Sequence, residues 1–288
     1  MQIPLHHRLK CPYLLKSTMK PAVFKDKVVL ITGASSGIGR ALAMAFSVQG
    51  AQVALVARTE AHLRDVEQQL TALPGRRLVI PADVRNPQQV EHVVQTVMEQ
   101  FKRVDVLVNN AGKGYCGELA DMTAADMYDL FETNFFGPFH FYRSVVPHMI
   151  QRRSGLIIQV SSVSGFCAVP LGGAYCATKF ALEAMSDSAR LELQSHNIRV
   201  LVVRPGVTNT SFFDHAKNFR VRNPFSLSRM MSPDTVARQV VQAAASGRRE
   251  CVLTAEAKIS YWLKRIAPRL LDHIIIRYVK PRPTAPAR

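Results

Sequence analysis

Two side chains spaced for proton transfer occur in the segment Tyr175-Cys176-Ala177-Thr178-Lys179. Residues four apart share one face of a helix, so the Lys179 ammonium can approach the Tyr175 phenol. A free tyrosine has a pKa of ~10 and is a poor base at neutral pH, but an adjacent cation favours the phenolate. The spacing therefore predicts that Tyr175 exchanges a proton with a substrate oxygen and that Lys179 makes this possible.

A second chemical signal is the glycine-rich segment Thr32-Gly33-Ala34-Ser35-Ser36-Gly37-Ile38-Gly39, which follows an apolar run and precedes a helix predicted to begin at about Ile38. Its glycines permit a tight turn and a close backbone approach, so that the free N–H groups of the helix can face a pyrophosphate. Glycine-rich turns are common in loops, but a position between a strand and a helix favours a dinucleotide site. The residues predicted to bind the dinucleotide here are Gly33, Ser35, Ser36, Gly37, Ile38 and Gly39.

The residue after the second apolar run indicates which dinucleotide binds. A site for NAD places an acidic residue about 20 residues beyond the glycines, where it accepts from the ribose hydroxyls. This chain has Ala57 and then Arg58 at that point. A guanidinium can pair with a 2′-phosphate through two hydrogen bonds, so the sequence favours NADP(H). The alternative is that Arg58 is an ordinary surface arginine.

Short apolar runs that alternate with helical segments must position these residues. Runs rich in Val, Ile and Leu indicate strands buried on both faces, as in a parallel sheet between two helical layers. The sequence therefore predicts one α/β domain with a doubly wound Rossmann fold of about seven parallel strands. The predicted strands are Val28–Ile31, Ala51–Ala57, Leu78–Pro81, Val104–Asn109, Leu156–Val160, Ile198–Arg204 and Cys251–Leu253, and the predicted helices include Arg40–Gln49, Pro87–Phe101, Ala124–Ile150 and Tyr175–Ser195.

The net charge of +16 is concentrated at the two ends of the 288-residue chain. Residues 1–24 form a predicted basic extension, residues 25–254 the catalytic domain, and residues 255–288 a basic amphipathic extension in which Pro268 starts a second helix. Two interpretations of residues 255–280 stay open: a helix pair packed on the domain or a partner subunit, or contact with a membrane surface. We find no nucleic-acid recognition motif and expect no nucleic-acid partner.

The segment Val207–Met231 has many Phe and Met residues and neither helical nor strand periodicity. A long apolar loop before a helix suggests a lid over the substrate. Phe166, Val169, Pro170 and Leu171 precede Tyr175 in the sequence and also favour a small apolar carbonyl or alcohol substrate.

Composition excludes several classes of protein. With 48% hydrophobic and 20% charged residues, the chain has the composition of a globular protein, and no run approaches the ~20 apolar residues of a membrane span. The five cysteines lack the density and spacing of a disulfide scaffold, which favours the cytoplasm, with membrane association left open. No Cys/His cluster has zinc spacing, so we expect no metal.

Residues 25–253 resemble the short-chain dehydrogenase/reductase family, within it the NADP-preferring, hydroxysteroid-dehydrogenase-like members. The motifs that carry the resemblance, in the order found in the family, are the glycine-rich loop, Asn109-Asn110-Ala111-Gly112, Asn134, Ser162, Tyr175 to Lys179, and Pro205-Gly206. The resemblance implies a catalytic set of Asn134, Ser162, Tyr175 and Lys179. It implies that Ser162 and Tyr175 contact the reacting oxygen, that Lys179 also holds the nicotinamide ribose, and that Asn134 holds a water that relays protons towards Lys179.

The resemblance also implies further cofactor contacts. Asp83 and Val84 match the pair that flanks the adenine, although Asp83 could instead cap the helix that begins near Pro87. Asn110 matches the residue beside the adenosine ribose, and Thr210 a contact to the carboxamide. Many NADP-preferring members have a basic residue in place of Ser36, so the NADP(H) prediction depends mostly on Arg58. The remaining implied cofactor residues are Ala111, Gly112, Tyr175, Lys179, Pro205 and Gly206.

Taken together, these features predict an NADP(H)-dependent oxidoreductase that interconverts a carbonyl and an alcohol on a lipid-, steroid- or retinoid-like substrate. The resemblance suggests a homodimer or homotetramer through the long helices. The alternative is a non-catalytic NADP-binding regulator or a membrane-attached scaffold. The presence of all four catalytic positions favours the enzyme.

Overall fold

The protein is described by a computed structural model for residues 23–212 and 230–278. Within these residues seven strands form one parallel sheet in the order β3-β2-β1-β4-β5-β6-β7. The strands are β1 Val28–Thr32, β2 Gln52–Ala57, β3 Arg77–Pro81, β4 Val106–Asn109, β5 Gly155–Val160, β6 Ile198–Arg204 and β7 Glu250–Val252. The predicted doubly wound Rossmann fold is confirmed.

Helices connect the strands and cover both faces of the sheet. They are α1 Gly37–Val48, α2 Glu60–Leu70, α3 Pro87–Phe101, α4 Ala124–Phe131, α5 Gly137–Arg152, α6 Gly173–Glu192, α7 Pro233–Ala245, α8 Ala255–Ile266 and α9 Pro268–Tyr278. Strand side chains alternate between the two faces, which places Val29 and Ile31 in one buried cluster with α1, α2 and α7. Val28 and Leu30 lie in the other cluster, with α3, α5 and α6.

The sheet order places a crevice where the sequence predicts the cofactor. β1 pairs with β2 on one side and with β4 on the other, so the chain leaves the sheet in opposite directions at this point. Ligands of doubly wound folds bind outside the carboxyl ends of the strands at such a switch point. The glycine-rich loop follows β1 and the Asn109-Asn110-Ala111-Gly112 segment ends β4, so both border the crevice.

The predicted single helix Ala124–Ile150 is wrong in one respect, because a π-helical turn, Glu132–Phe136, separates α4 from α5. The helix then restarts at Gly137, where an added Cβ would come within 2.8 Å of a Val84 methyl group. The close packing against the loop after β3 explains why a glycine stands there. Asn134 lies within the π-helical turn and is fully buried.

Helices α8 and α9 pack against each other after β7, and Pro268 starts the second of them, as predicted. No helix within the described residues is long and apolar enough to cross a membrane. The basic residues 1–22, most of the predicted lid (213–229) and the Pro-rich end (279–288) lie outside the described residues.

Candidate active site

The glycine-rich loop packs too tightly for larger residues. Gly33 has φ +64° and Gly37 φ +52°, which L side chains rarely adopt. A Cβ on Gly39 would overlap the Gly33 carbonyl oxygen, so only glycine lets α1 begin this close to the turn. Ser35 is half-buried, whereas the Ser36 hydroxyl is exposed and makes no capping bond to α1. Both hydroxyls and the first N–H groups of α1 suit a phosphate.

Asn110 fastens the end of β4 to the same loop. Its amide donates to the carbonyl oxygens of Thr32 at 2.9 Å and Gly33 at 3.2 Å. In return the Thr32 hydroxyl accepts from the backbone N–H groups of Asn110 and Ala111 at 2.9 and 3.0 Å. These four bonds fix the two walls of the crevice relative to one another.

Three candidate catalytic side chains converge at the carboxyl ends of β5 and β6. Ser162 follows β5 and caps a short 3₁₀ turn, where its hydroxyl accepts from the Ser164 N–H at 3.1 Å. Tyr175 and Lys179 lie one turn apart near the start of α6, and the Lys179 Nζ is 5.8 Å from the centre of the Tyr175 ring. The Lys179 ammonium donates to the Val160 carbonyl oxygen at 3.0 Å, which anchors it beneath the tyrosine.

Burial shifts the pKa of both members of this pair. It lowers the pKa of Lys179 to about 8, opposed by the negative charge of Glu183. Burial also raises the pKa of Tyr175, and hydrogen bonding to Ser162 opposes that rise. Desolvation thus favours the protonated phenol, which is suited to donating a proton to a carbonyl oxygen.

Asn134 connects the π-helical turn to the segment after β4. Its Oδ1 accepts from the Lys113 N–H at 2.9 Å, while its Nδ2 donates to the Lys113 carbonyl oxygen at 2.9 Å and to Thr178 Oγ1 at 3.1 Å. The two amide hydrogens are therefore used within the protein. An added Cβ on Gly112 would lie 3.2 Å from Asn134 Oδ1 and 3.8 Å from Lys179 Nζ, so this glycine brings the three residues together.

The predicted adenine end of the crevice lies at the carboxyl ends of β2 and β3. The Asp83 carboxylate accepts from the Arg85 guanidinium and backbone, and these bonds hold its pKa below the ordinary value despite burial. The alternative prediction, that Asp83 caps α3, is wrong: the capping residue is Asn86, whose side chain accepts from the Gln89 N–H. Val84 is buried, whereas Arg58 is exposed and makes no hydrogen bond or ion pair within the described ranges.

The loop after β6 borders the end of the crevice opposite the predicted adenine end. The Pro205 carbonyl oxygen accepts from the Val163 N–H at 3.2 Å, which ties this loop to the Ser162 turn. Gly206 approaches Thr254, and the Thr210 side chain approaches Gly37 in the glycine-rich loop. Of the predicted lid Val207–Met231, residues 207–212, 230 and 231 are described.

Aromatic side chains lie next to Tyr175 and in the loop after Ser162. The Phe212 ring meets the Tyr175 ring at 5.7 Å between centres, edge to face. In the loop that follows Ser162, Phe166 meets Tyr261 of α8 at 5.1 Å, and Lys264 of α8 donates to the Phe166 carbonyl oxygen at 2.6 Å. Helix α8 therefore packs on the loop that carries Ser162, in line with the interpretation in which the helix pair packs on the domain.

Two further positioning residues escaped sequence reasoning. Thr32 holds both Asn110 and Ala111, and Thr178 accepts from Asn134 while donating to the Tyr175 carbonyl oxygen at 2.7 Å. Both threonines lie inside motifs that the sequence did single out. The only available signal was a hydroxyl next to a functional residue, which is too common to be specific.

Comparison with known proteins agrees with this geometry. The family model described as short chain dehydrogenase matches residues 27–220. The chain is 32% identical over 265 residues to an uncharacterized oxidoreductase, YxnA, of Bacillus subtilis, which covers 91% of this chain and 74% of that protein. It is 31% identical over 274 residues to dehydrogenase/reductase SDR family member 7B of Bos taurus, with 91% and 84% covered.

Solved structures with the same fold contain both types of nicotinamide cofactor. An alcohol dehydrogenase from Thermococcus sibiricus, complexed with 5-hydroxy-NADP, is 28% identical with a TM-score of 0.71 and covers 80% of this chain and 96% of its own. A short-chain dehydrogenase/reductase from Burkholderia phymatum, in complex with NAD, is 25% identical with a TM-score of 0.78 and covers 92% and 99%. The chain therefore belongs to the short-chain dehydrogenase/reductase family of NAD(P)-dependent oxidoreductases.

Proposed function

We propose that this protein is an NADPH-preferring oxidoreductase that interconverts a carbonyl and an alcohol, with Tyr175 as general acid and base. The observation that carries the proposal is the convergence of Ser162, Tyr175 and Lys179 beside the crevice bordered by the glycine-rich loop. A regulator that only binds nucleotide has no need of a buried lysine beneath a half-buried tyrosine.

In carbonyl reduction a bound NADPH would supply the hydride for the carbonyl carbon. Tyr175 gives its proton to the carbonyl oxygen, and Ser162 donates a hydrogen bond that steadies the charge developing there. The Lys179 ammonium stabilises the phenolate that remains, held in place by the Val160 carbonyl oxygen. In alcohol oxidation Tyr175 takes the proton back. Asn134 keeps the segment around Gly112 against Lys179, and water near it is proposed to return protons to the pair.

Preference for NADPH over NADH is supported by Arg58. Its guanidinium is exposed just beyond β2 and lowers the pKa of Asp83 through its charge, so it lies on the adenine side of the crevice. A guanidinium without a hydrogen-bond partner among the described residues can donate two hydrogen bonds to a 2′-phosphate. The exposed Ser36 hydroxyl lies on the neighbouring loop and can add a further bond. The related structures with NAD and with an NADP analogue leave both cofactors open to the family.

An apolar substrate is supported by the aromatic side chains near the candidate catalytic residues. Phe212 lies against Tyr175, and Phe166 follows Ser162 and packs on Tyr261, whereas recognition of a sugar would require several polar side chains. The substrate class we propose is therefore a steroid-, retinoid- or lipid-like ketone, aldehyde or alcohol.

We also propose that α8 and α9 contact an anionic membrane surface. Ile259, Trp262, Ile266 and Leu270 are exposed on these helices, with Trp262 62% exposed. Residues 255–278 carry five Lys or Arg and two acidic residues, so the apolar face has a basic surround that suits anionic lipid headgroups. The cysteines of the described ranges are free, which supports a reducing compartment and hence the cytosolic side of the membrane.

Assembly into a homodimer or homotetramer is supported by apolar side chains left exposed on the long helices and the turn between them. Tyr128, Phe136 and Leu191 are examples. Lys264 lies 4.8 Å above the Phe180 ring, so α8 covers part of this face. Sedimentation of the purified chain measures the state directly, and a monomer at micromolar concentration contradicts the proposal.

The test of the catalytic proposal is oxidation of NADPH and NADH, followed by absorbance, against steroid ketones, retinal, long-chain ketones and quinones. We expect turnover with NADPH on at least one apolar carbonyl and its loss in Tyr175→Phe, with NADPH binding retained. Tight NADPH binding without turnover across the panel would favour the non-catalytic regulator.

The membrane proposal is tested with vesicles. Full-length protein and an Ile259→Ser/Ile266→Ser variant are mixed with vesicles of phosphatidylcholine alone or with phosphatidylserine, at two salt concentrations. We expect cosedimentation with the anionic vesicles that weakens with salt and is lost in the variant. Equal binding by the variant contradicts the proposal.

A further inference from the structure

A buried ion pair lies directly behind the candidate catalytic residues. Glu183 on α6 accepts from Arg204 at the end of β6 through two bonds, from Nε at 2.9 Å and from Nη2 at 2.6 Å. Both residues are buried, with 8% and 5% exposure. The remaining nitrogen of Arg204, Nη1, donates to Glu250 of β7 at 2.6 Å, and that carboxylate is partly exposed.

Buried charges are costly, so the position of this pair calls for an explanation. Removing two charges from water costs several kcal/mol per ion before their attraction is counted, and apolar replacements of similar volume are often as stable. A connection between α6 and β6 alone could have been made by apolar side chains. The pair therefore points to an electrostatic task.

Glu183 lies on the same helix face as Lys179 and next to the turn that follows Ser162. It follows Lys179 by four residues on α6, which places the two side chains on one face of the helix. It also contacts the turn that follows Ser162, because a Cβ added to Gly165 would lie 2.9 Å from Glu183 Oε1. The carboxylate thus lies against the serine turn and on the helix face that carries Lys179, and Arg204 holds it there.

We propose that Glu183 is a positioning residue for the catalytic pair: its carboxylate, oriented by Arg204, keeps the Lys179 ammonium charged and holds the Ser162 turn against α6. The inference rests on the proposed function, since it assigns Glu183 a role through Lys179 and Tyr175. Glu183 itself touches neither the substrate nor the cofactor in this scheme.

Among the residues that the structure describes, few other charges face Lys179. Tyr175 and Cys176 lie on α6 itself, β5 contributes the Val160 carbonyl oxygen, and β6 contributes Arg204 on the far side of Glu183. Asn134 and Gly112 approach from the other side without charge. Within the described ranges Glu183 is therefore the carboxylate positioned to favour the ammonium, and burial works against it.

The proposal can be tested without turnover, through the pH dependence of stability. Native Lys179 has a pKa of about 8, against 10.5 for an ordinary lysine. Between these values the unfolded chain binds a proton that the native chain does not, so the free energy of unfolding rises with pH across this window. The free energy of unfolding is measured by urea titration at each pH for the unsubstituted chain and for Lys179→Met. The difference between the two isolates the contribution of Lys179 and gives the pH at which its rise begins.

Four variants, each paired with its Lys179→Met counterpart, distinguish the electrostatic role from a merely structural one. Removing the negative charge in Glu183→Gln should move the onset of the rise down by about one pH unit. Arg204→Met removes a positive charge and should move it up by less, because the guanidinium lies beyond the carboxylate. Glu183→Asp keeps the charge and should restore an onset close to that of the unsubstituted chain. Glu250→Gln, on the far side of Arg204, should leave it unchanged.

Glu183→Gln and Arg204→Met remove charges of opposite sign, so they must shift the onset in opposite directions. An unchanged onset in Glu183→Gln, or shifts of the same sign in Glu183→Gln and Arg204→Met, would overturn the proposal. If Arg204→Met does not fold, Glu183→Gln against Glu183→Asp decides alone. Once a carbonyl substrate is in hand, the alkaline limb of kcat/KM should move in the same direction as the onset, because reduction needs the protonated pair. Absence of turnover with a normal titration would contradict the proposed function and leave the electrostatic role of Glu183 intact.

Discussion

The carboxyl edge of the sheet buries polar side chains, whereas the C-terminal helix pair exposes apolar ones. At the sheet edge, polar side chains are buried and tied to backbone groups: Asn134 is fully buried and Lys179 is 4% exposed. On α8 and α9, large apolar side chains stand in solvent, with Ile266 78% exposed. Burying the polar side chains at the sheet edge costs desolvation free energy, whereas the exposed apolar side chains of α8 and α9 contribute little to the free energy of folding. The first arrangement suits chemistry on a bound molecule, and the second suits contact with a surface outside the protein.

The largest effect expected from this contrast is on turnover at the sheet edge. Lys179→Met removes the cation that stabilises the Tyr175 phenolate, so kcat should fall by about 10²- to 10⁴-fold. At the same time the unfolding free energy below pH 8 should rise, because a buried charge that costs stability is lost. Steady-state kinetics and urea titration measure the two effects. A Lys179→Met variant that is both less stable and fully active would contradict a catalytic role for the buried polar side chains at the sheet edge.

Next in size is the packing of the glycine-rich loop. In Gly39→Ala the new methyl group overlaps the Gly33 carbonyl oxygen, and forcing the two apart should cost about 3 kcal/mol, or about 100-fold in NADPH affinity. Ser36→Ala on the same loop removes one exposed hydroxyl and is the matched control, with a much smaller expected loss. Fluorescence titration with NADPH compares them, and equal losses would mean that the tight loop is not what binds the nucleotide.

A smaller effect, confined to one cofactor, is expected at Arg58. Replacing it with Ala should weaken NADPH binding by about tenfold or more, the worth of hydrogen bonds to a charged group, and leave NADH binding almost unchanged. Arg64, exposed on α2 and paired with Glu60 and Glu67, provides a control arginine outside the crevice. If Arg64→Ala and Arg58→Ala have the same effect on NADPH, the preference has another source.

The contrast also explains what could be predicted from the sequence. The sheet follows from local patterns, because strands such as β1 and β2 contain unbroken apolar runs that only a sheet covered on both faces can bury. The positions of Tyr175 and Lys179 follow from helical spacing. The packing of α8 on Phe166 and the ion pair between Glu183 and Arg204 join residues 21 to about 100 positions apart, and no periodicity encodes such contacts. The π-helical turn at Asn134 was missed because its sequence is compatible with a regular helix.

The smallest effect on folding is expected on the exposed face of the helix pair, where a large apolar side chain has little to lose. Ile266→Ser should change the free energy of unfolding by no more than about 0.5 kcal/mol. Leu271→Ala, four residues into the next helix at a side chain only 4% exposed, should cost about 3 kcal/mol. Urea unfolding of both variants measures the difference. A large loss in Ile266→Ser would mean that this face is covered by protein in solution, which would favour a partner subunit over a membrane as its occupant.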